Sequence, residues 1–292
     1  ALGQKWAVEG IETPFTRIDQ PYKYQSLVDI KEKIKKIGWD IYNSGLEPKL
    51  KPVIIGFAGY GRTSTGAQEI FDLLPHKEIK PADLPAFMEK GDFASHRLYK
   101  VIFKEEDMVR PKSQNHSFSL DDYYRHPEKY ESQFERYLPY MSALVNCIYW
   151  TPDYPRFVSR ESLEQLFREQ QQPRLKVIGD ISCDIEGSVE CNFFATTPDQ
   201  PYYIYDPLTG KRYDDIRRRG IALMTIDNLP AEIPLESSAF FSQALKPFLP
   251  ALARSDFSQP FSSMELPAPI RRAVVLHRGE LTPDFHYLNK FI

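Results

Sequence analysis

Val53-Ile54-Ile55-Gly56-Phe57-Ala58-Gly59-Tyr60-Gly61-Arg62-Thr63-Ser64-Thr65-Gly66-Ala67 is the stretch whose reading decides the fold. A run of β-branched and apolar residues breaks into closely spaced glycines, and Gln68-Glu69-Ile70-Phe71-Asp72-Leu73-Leu74 follows with the apolar spacing of a helix. The order is strand, tight turn, helix. Glycines let such a turn bring its backbone close to a phosphate, and the free N–H groups at the helix start attract negative charge. The turn is a candidate anion cradle.

Gly59 and Gly61 fill the first two positions of the G-x-G-x-x-G pattern of dinucleotide-binding units, Ser64 stands at the third, and Gly66 follows two places later. The same glycines would also serve a strand-to-helix connection that binds nothing. The rest of the chain has to decide.

Working outward, 292 residues with 42% hydrophobic content suffice for a large core and about two domains. The net charge of −3 argues against a nucleic-acid surface, and Arg217-Arg218-Arg219 reads as a solvated loop. No apolar run approaches the ~20 residues of a membrane span. Cys147, Cys183 and Cys191 lack C-x-x-C spacing and read as free thiols of a reducing compartment, and the six histidines show no metal-ligand spacing.

Along the chain, residues 1–22 lack periodicity and read as a linker or hinge. Leu27, Ile30, Ile34, Ile37 and Ile41 predict an amphipathic helix closed at Gly45. Residues 1–48 are thus expected to form a hinge segment and linking helix, residues 49–232 a dinucleotide-binding domain, and residues 233–292 a C-terminal helical segment. Within the middle part, His76–Lys80 reads as a poor second strand and Leu98–Phe103 as a better third. Residues 104–135 read as a polar, aromatic insertion. Ala143–Trp150, Lys176–Ser182 and Ile221–Ile226 predict further strands, with a helix near Arg160–Gln170. The fold class expected is α/β, a Rossmann-like doubly wound parallel sheet.

In such sheets ligands sit beyond the carboxyl ends of the strands. Three clusters qualify: Gly61-Arg62, Tyr149, and Asp180-Ile181-Ser182-Cys183-Asp184 with Glu186, Gly187, Ser188 and Glu190. The last is the densest in carboxylates. It reads either as a site that orients an amine or relays a proton, or as an acidic turn with caps.

At these residues the sequence resembles the lysine–2-oxoglutarate reductase part of the bifunctional aminoadipic semialdehyde synthase family, related to the lysine-forming saccharopine dehydrogenases and to alanine dehydrogenase. The resemblance runs through Thr13-Pro14-Phe15, the turn Gly59–Ala67, His126-Pro127-Glu128-Lys129-Tyr130, Asn146-Cys147-Ile148-Tyr149-Trp150, Asp180–Asp184, Gly187-Ser188-Val189-Glu190, and Ile226-Asp227-Asn228-Leu229-Pro230. It implies reduction of the imine of lysine and 2-oxoglutarate to saccharopine, with NADP(H), or alternatively NAD(H), as cofactor.

Carried over by position, Gly59, Gly61, Arg62 and Ser64 belong to the pyrophosphate turn, and Tyr149 and Ile181 resemble contacts along the cofactor. Ile226, Asp227, Asn228 and Leu229 match the segment at the nicotinamide end, and Asp184 resembles the active-site aspartate of alanine dehydrogenases. Lys77 and Lys80, in the second-strand segment, are the cations offered to a 2′-phosphate. The family's acid/base lysine and histidine belong to an N-terminal lobe with no matching positions here, so no residue takes either role.

The resemblance therefore implies that this chain is the cofactor-binding part, with its end segments joining that lobe, and with a saccharopine dehydrogenase domain in the full protein. It also implies a cytoplasmic protein, or one of the mitochondrial matrix in a eukaryote, and leaves a homo-oligomer open. The alternatives are an alanine-dehydrogenase-like amino-acid dehydrogenase and a non-catalytic nucleotide-binding interaction module.

Overall fold

A computed structural model describes residues 1–291. It comprises two compact units, Ala1–Glu232 and the segment from Ile233 onward.

The first unit opens with α1 (Leu2–Val8), where the sequence predicts a linker. Long-range contacts order it: the Trp6 and Phe15 rings lie 6.0 Å apart, and Lys5 Nζ donates to the Arg218 carbonyl at 2.9 Å. Local periodicity carries no trace of such partners. Next, α2 (Leu27–Ser44) starts at Ser26, whose Oγ accepts from the Asp29 N–H, buries Ile30, Ile34, Ile37 and Ile41, and ends where Gly45 turns at φ +74°.

The sheet begins with β1 (Ile54–Ala58), buried along its whole length, followed by the glycine turn and α3 (Arg62–Phe71). There follow β2 (His76–Glu78), α4 (Leu84–Lys90) and β3 (Leu98–Phe103). The insertion after it folds as α5 (Glu105–Met108), β4 (Val109–Pro111), α6 (Leu120–Arg125) and β5 (Tyr130–Ser132), β4 pairing antiparallel with β5. The chain then returns through β6 (Ala143–Asn146), α7 (Arg160–Glu169), β7 (Val177–Asp180), β8 (Tyr203–Asp206), β9 (Lys211–Tyr213) and β10 (Ile221–Met224).

The eight-stranded sheet has the order β2-β3-β1-β6-β7-β10-β8-β9. From β2 to β10 neighbours are parallel, and β8 and β9 add an antiparallel margin. This is a Rossmann-like fold with one departure from simple winding: the neighbour of β1 is β3, and β2 lies outside it. The residues explain the order. LYKVIF is apolar enough to be covered on both faces and takes the interior place, whereas the polar, partly exposed His76-Lys77-Glu78 suits a margin. After β1 the chain builds toward β3 and β2, and after the insertion it builds the other way from β6. The direction reverses between β1 and β6, which puts the crevice at their carboxyl ends.

In the second unit prolines open each helix: α8 (Pro234–Leu245), α9 (Leu249–Arg254) and α10 (Ala268–Ala273) carry one in the first or second position. A short hairpin, β11 (Leu276–His277) with β12 (Glu280–Leu281), follows. Leu235, Phe240 and Phe241 on α8 are exposed. Among the described residues no helix is long and apolar enough to cross a membrane.

Candidate functional site

Four strand ends, those of β3, β1, β6 and β7, are tied side by side at the crevice. The Gly59 N–H donates to the Phe103 carbonyl at 2.9 Å, the Cys147 N–H to that of Ala58 at 3.0 Å, and the Ile181 N–H to that of Asn146 at 2.9 Å. Beyond them opens a cleft of about 620 Å³, within the usual range for a small-ligand site. Its floor comes from the segments after β1, β6 and β7, and one wall comes from the insertion.

On the first side, Gly59 has φ +93°, a conformation that disfavours a side chain, and a Cβ there would stand 3.1 Å from Ile148 Cγ2. Gly61 differs. Its φ of −72° suits any residue, and a Cβ would meet nothing within 4 Å. What glycine supplies there is bare peptide facing the cleft. Gly61 is also the N-cap of α3, and no side chain caps that end, so the first N–H groups of the helix remain available beside Arg62 and Thr63. Bare backbone, an uncapped ten-residue helix and a guanidinium together fit the phosphates of a dinucleotide.

Ser64, at the third motif position, points elsewhere. It is fully buried and its Oγ accepts from Gln68 Nε2 at 2.9 Å. The helix packs closely there without a third glycine.

The second side is built from polar groups under cover. Asp180, at the end of β7, accepts from Asn146 Nδ2 at 2.7 Å, Asn192 Nδ2 at 2.8 Å and the Cys183 N–H at 3.3 Å. Asn146 Nδ2 also donates to Ser188 Oγ at 2.9 Å, and Ser182 Oγ donates to the Ile148 carbonyl. Burial pushes the Asp180 carboxyl above the usual range, while its amide and backbone donors pull the other way.

This network holds a loop in which Cys183 (φ 54°) and Glu186 (φ 48°) are left-handed. Gly187 lets the loop close, since a Cβ there would lie 2.5 Å from that of Asp184. Asp184 is thereby presented to the cleft, half-buried, and burial raises its pKa.

The acidic cluster of the sequence therefore divides. Asp184, with Ile181 and Ser182, faces the cleft, whereas Asp180 lies beneath the loop. Glu190 accepts from the Arg160 N–H at 2.9 Å at the start of α7, and Glu186 pairs with the Arg160 guanidinium. For those two the reading as an acidic turn with caps describes the structure.

Of the positions expected at the cofactor, Gly59, Gly61, Arg62, Tyr149 and Ile181 line the cleft together with Asp184; Tyr149 is 85% exposed there. Ile226, Asp227, Asn228 and Leu229 follow β10, two strands beyond β6, and are not among the lining residues. Ile226 is buried and bridges to Thr196, while Asp227 and Asn228 are exposed.

Sequence reasoning missed the wall: Glu105 and Met108 on α5, Tyr123 and Tyr124 on α6, and Tyr154 and Phe157. Glu105 accepts from Tyr124 Oη at 2.7 Å. The available signal was the density of tyrosines in an otherwise polar insertion.

A scan of protein-family models finds no match for this chain. Curated proteins do match. The chain is 36% identical over 299 residues to the alpha-aminoadipic semialdehyde synthase of Arabidopsis thaliana, covering 98% of this chain and 27% of that protein. It is 30% identical over 303 residues to the mitochondrial alpha-aminoadipic semialdehyde synthase of Bos taurus, covering 99% of this chain and 32% of that protein. A shorter likeness, 35% identical over 118 residues, links it to the lysine-forming NAD(+) saccharopine dehydrogenase of Schizosaccharomyces pombe, over 38% of this chain and 28% of that one. The chain spans about a quarter to a third of the length of the longer relatives. By fold and by sequence, then, the chain is homologous to one segment of the alpha-aminoadipic semialdehyde synthases.

Proposed function

We propose that this chain is the dinucleotide-binding part of an oxidoreductase of lysine degradation, a saccharopine-forming lysine–2-oxoglutarate reductase. The observation that carries the reading is the crevice between β1 and β6, where bare glycine backbone, the uncapped start of α3 and Arg62 face Asp184 across one cleft. Relatives named for saccharopine chemistry match just over a third of the same chain. The cofactor is a nicotinamide dinucleotide, with NADP(H) the form that the family resemblance favours and NAD(H) the other.

When bound, the dinucleotide supplies a hydride for the imine of lysine and 2-oxoglutarate. The rest falls to this chain's residues. Gly59, Gly61 and Arg62 hold the phosphates, with the α3 N–H groups neutralising charge that a side chain alone would meet at greater entropic cost. Tyr149 and Ile181 line the path between the phosphates and Asp184. Asp184 keeps its proton to higher pH than an exposed carboxylate and stands ready to hold a substrate amine or a proton at its carboxyl oxygen. Lysine, 2-oxoglutarate and saccharopine are the small-molecule partners; an N-terminal lobe supplies the remaining acid/base groups and a saccharopine dehydrogenase domain adjoins in the full protein. Mammalian relatives carry "mitochondrial" in their names, and we place the protein in the mitochondrial matrix if its source is eukaryotic, in the cytoplasm otherwise.

The test is oxidation of NADPH or NADH in the presence of lysine and 2-oxoglutarate, each omitted in turn, beside a direct cofactor titration. Turnover that needs both substrates is the expected result. Cofactor binding without turnover would leave a binding module, and turnover with ammonia in place of lysine would move the reading to an alanine-dehydrogenase-like enzyme.

A further inference from the structure

The geometry points to Glu105 as the residue that reads the adenosine ribose of the dinucleotide, accepting from its hydroxyls and so favouring NAD(H) over NADP(H). The inference rests on the cofactor reading above and departs from the NADP(H) that the family resemblance favours.

In a doubly wound sheet the pyrophosphate lies at the turn after the first strand. The ribose then lies beside the end of the strand that neighbours it, where an acid takes the 2′-hydroxyl or a cation takes a 2′-phosphate. In sequence the second strand is His76–Glu78, which would offer Lys77 and Lys80. In space the neighbour of β1 is β3. The end of β2 lies one strand further out, about 10 Å from β1 at the usual strand spacing. The ribose-reading position therefore passes to the residues after Phe103, the last of β3. Two residues on, Glu105 lines the same cleft as Gly59, Gly61 and Arg62, while neither Lys77 nor Lys80 does.

Glu105 is also held. Its Oε1 accepts from Tyr124 Oη at 2.7 Å, and its charge stands close enough to Tyr60, the residue between the two motif glycines, to raise the pKa of that phenol. A carboxylate only accepts hydrogen bonds, so fixed in this place it matches vicinal hydroxyl donors and repels a phosphate dianion. The neighbouring cation, Lys104, is exposed and lies 5.8 Å from the Tyr60 ring centroid, and Glu106 and Asp107 follow Glu105, leaving the local balance negative.

The test is titration of NADH and NADPH into the full chain by fluorescence or calorimetry, for the wild type, Glu105→Gln, Tyr124→Phe and Glu106→Gln. The wild type is expected to bind NADH more tightly than NADPH. Glu105→Gln should bring the two dissociation constants at least tenfold closer, Tyr124→Phe should move their ratio the same way by a smaller factor, and Glu106→Gln should leave it within threefold. A wild type that prefers NADPH, or a ratio that Glu105→Gln leaves within threefold, overturns the inference while the cofactor reading stands. Failure of both dinucleotides to bind overturns both readings.

Discussion

The two turns that make the cleft achieve their shapes in opposite ways. The turn after β1 works by omission: Gly59 and Gly61 leave backbone uncovered, no side chain caps α3, and Arg62 stands in solvent. The loop after β7 works by insertion, because Asp180, Asn146, Asn192 and Ser188 are buried polar residues whose hydrogen bonds hold two left-handed residues in place. The first turn suits a ligand that brings its own charge and finds donors waiting. The second suits a group that must be presented at a fixed position, which costs desolvated polar atoms to maintain.

If this division holds, the largest effect belongs to the second side. Asp184→Asn should lower turnover with lysine and 2-oxoglutarate by on the order of 10²-fold or more, the scale of a lost proton-handling group, and leave the dinucleotide dissociation constant within threefold. Equal loss of both would mean that Asp184 belongs to cofactor binding and would erase the contrast.

Asp180→Ala leaves the amides of Asn146 and Asn192 and the Cys183 N–H without their acceptor under cover. At about 1–3 kcal/mol per orphaned group, offset in part by relief of the buried charge, the net cost is about 3 kcal/mol. Thermal unfolding should then shift down by roughly 6–12 °C. A shift below 2 °C would mean that the loop holds its shape without the network.

Arg62→Ala should show the reverse signature. Cofactor affinity falls by roughly ten- to a hundredfold, the ~1–3 kcal/mol of a charge-assisted phosphate contact, with a melting temperature within about 1 °C of wild type because the side chain is exposed. Calorimetric titration beside a melting scan reads both.

The smallest effect lies between the two turns. Burial pushes the Cys147 thiol up to about 11 from an ordinary 9.0. The folded state thus keeps a proton that the unfolded chain releases, and the stability tied to it is present below pH 9 and lost as pH rises toward 11. Melting temperature should fall more steeply over that window in the wild type than in Cys147→Ala, and parallel curves would show that the thiol does not contribute.

The sheet was readable because its evidence is local. The apolar run Val53–Ala58, the glycine spacing and the stripe from Ile30 to Ile41 each fit within one or two turns of chain, and each became the element expected. Helix α1 was not readable, since its order depends on partners as far away as Arg218. Nor was the placement of β3 beside β1, because strand neighbours are a tertiary choice that turns on how well each strand tolerates cover on both faces. At the site, residue types were visible and their division was not. Asp180, Asp184, Glu186 and Glu190 look alike in sequence, and only the backbone path through Cys183 and Glu186 sends one into the cleft, one beneath it and two toward Arg160.

The two outermost strands share a feature with a consequence for the protein in a crowded cell. Both β2 and β9 are three residues long and charged, His-Lys-Glu on one side and Lys-Arg-Tyr on the other. An open parallel sheet exposes a row of unpaired amides and carbonyls at each border, and long apolar borders invite a second molecule to continue the ladder. Here each border offers little more than one repeat of hydrogen bonding and would have to bury lysine to use it. The large sheet therefore stops at eight strands instead of growing from molecule to molecule through its borders.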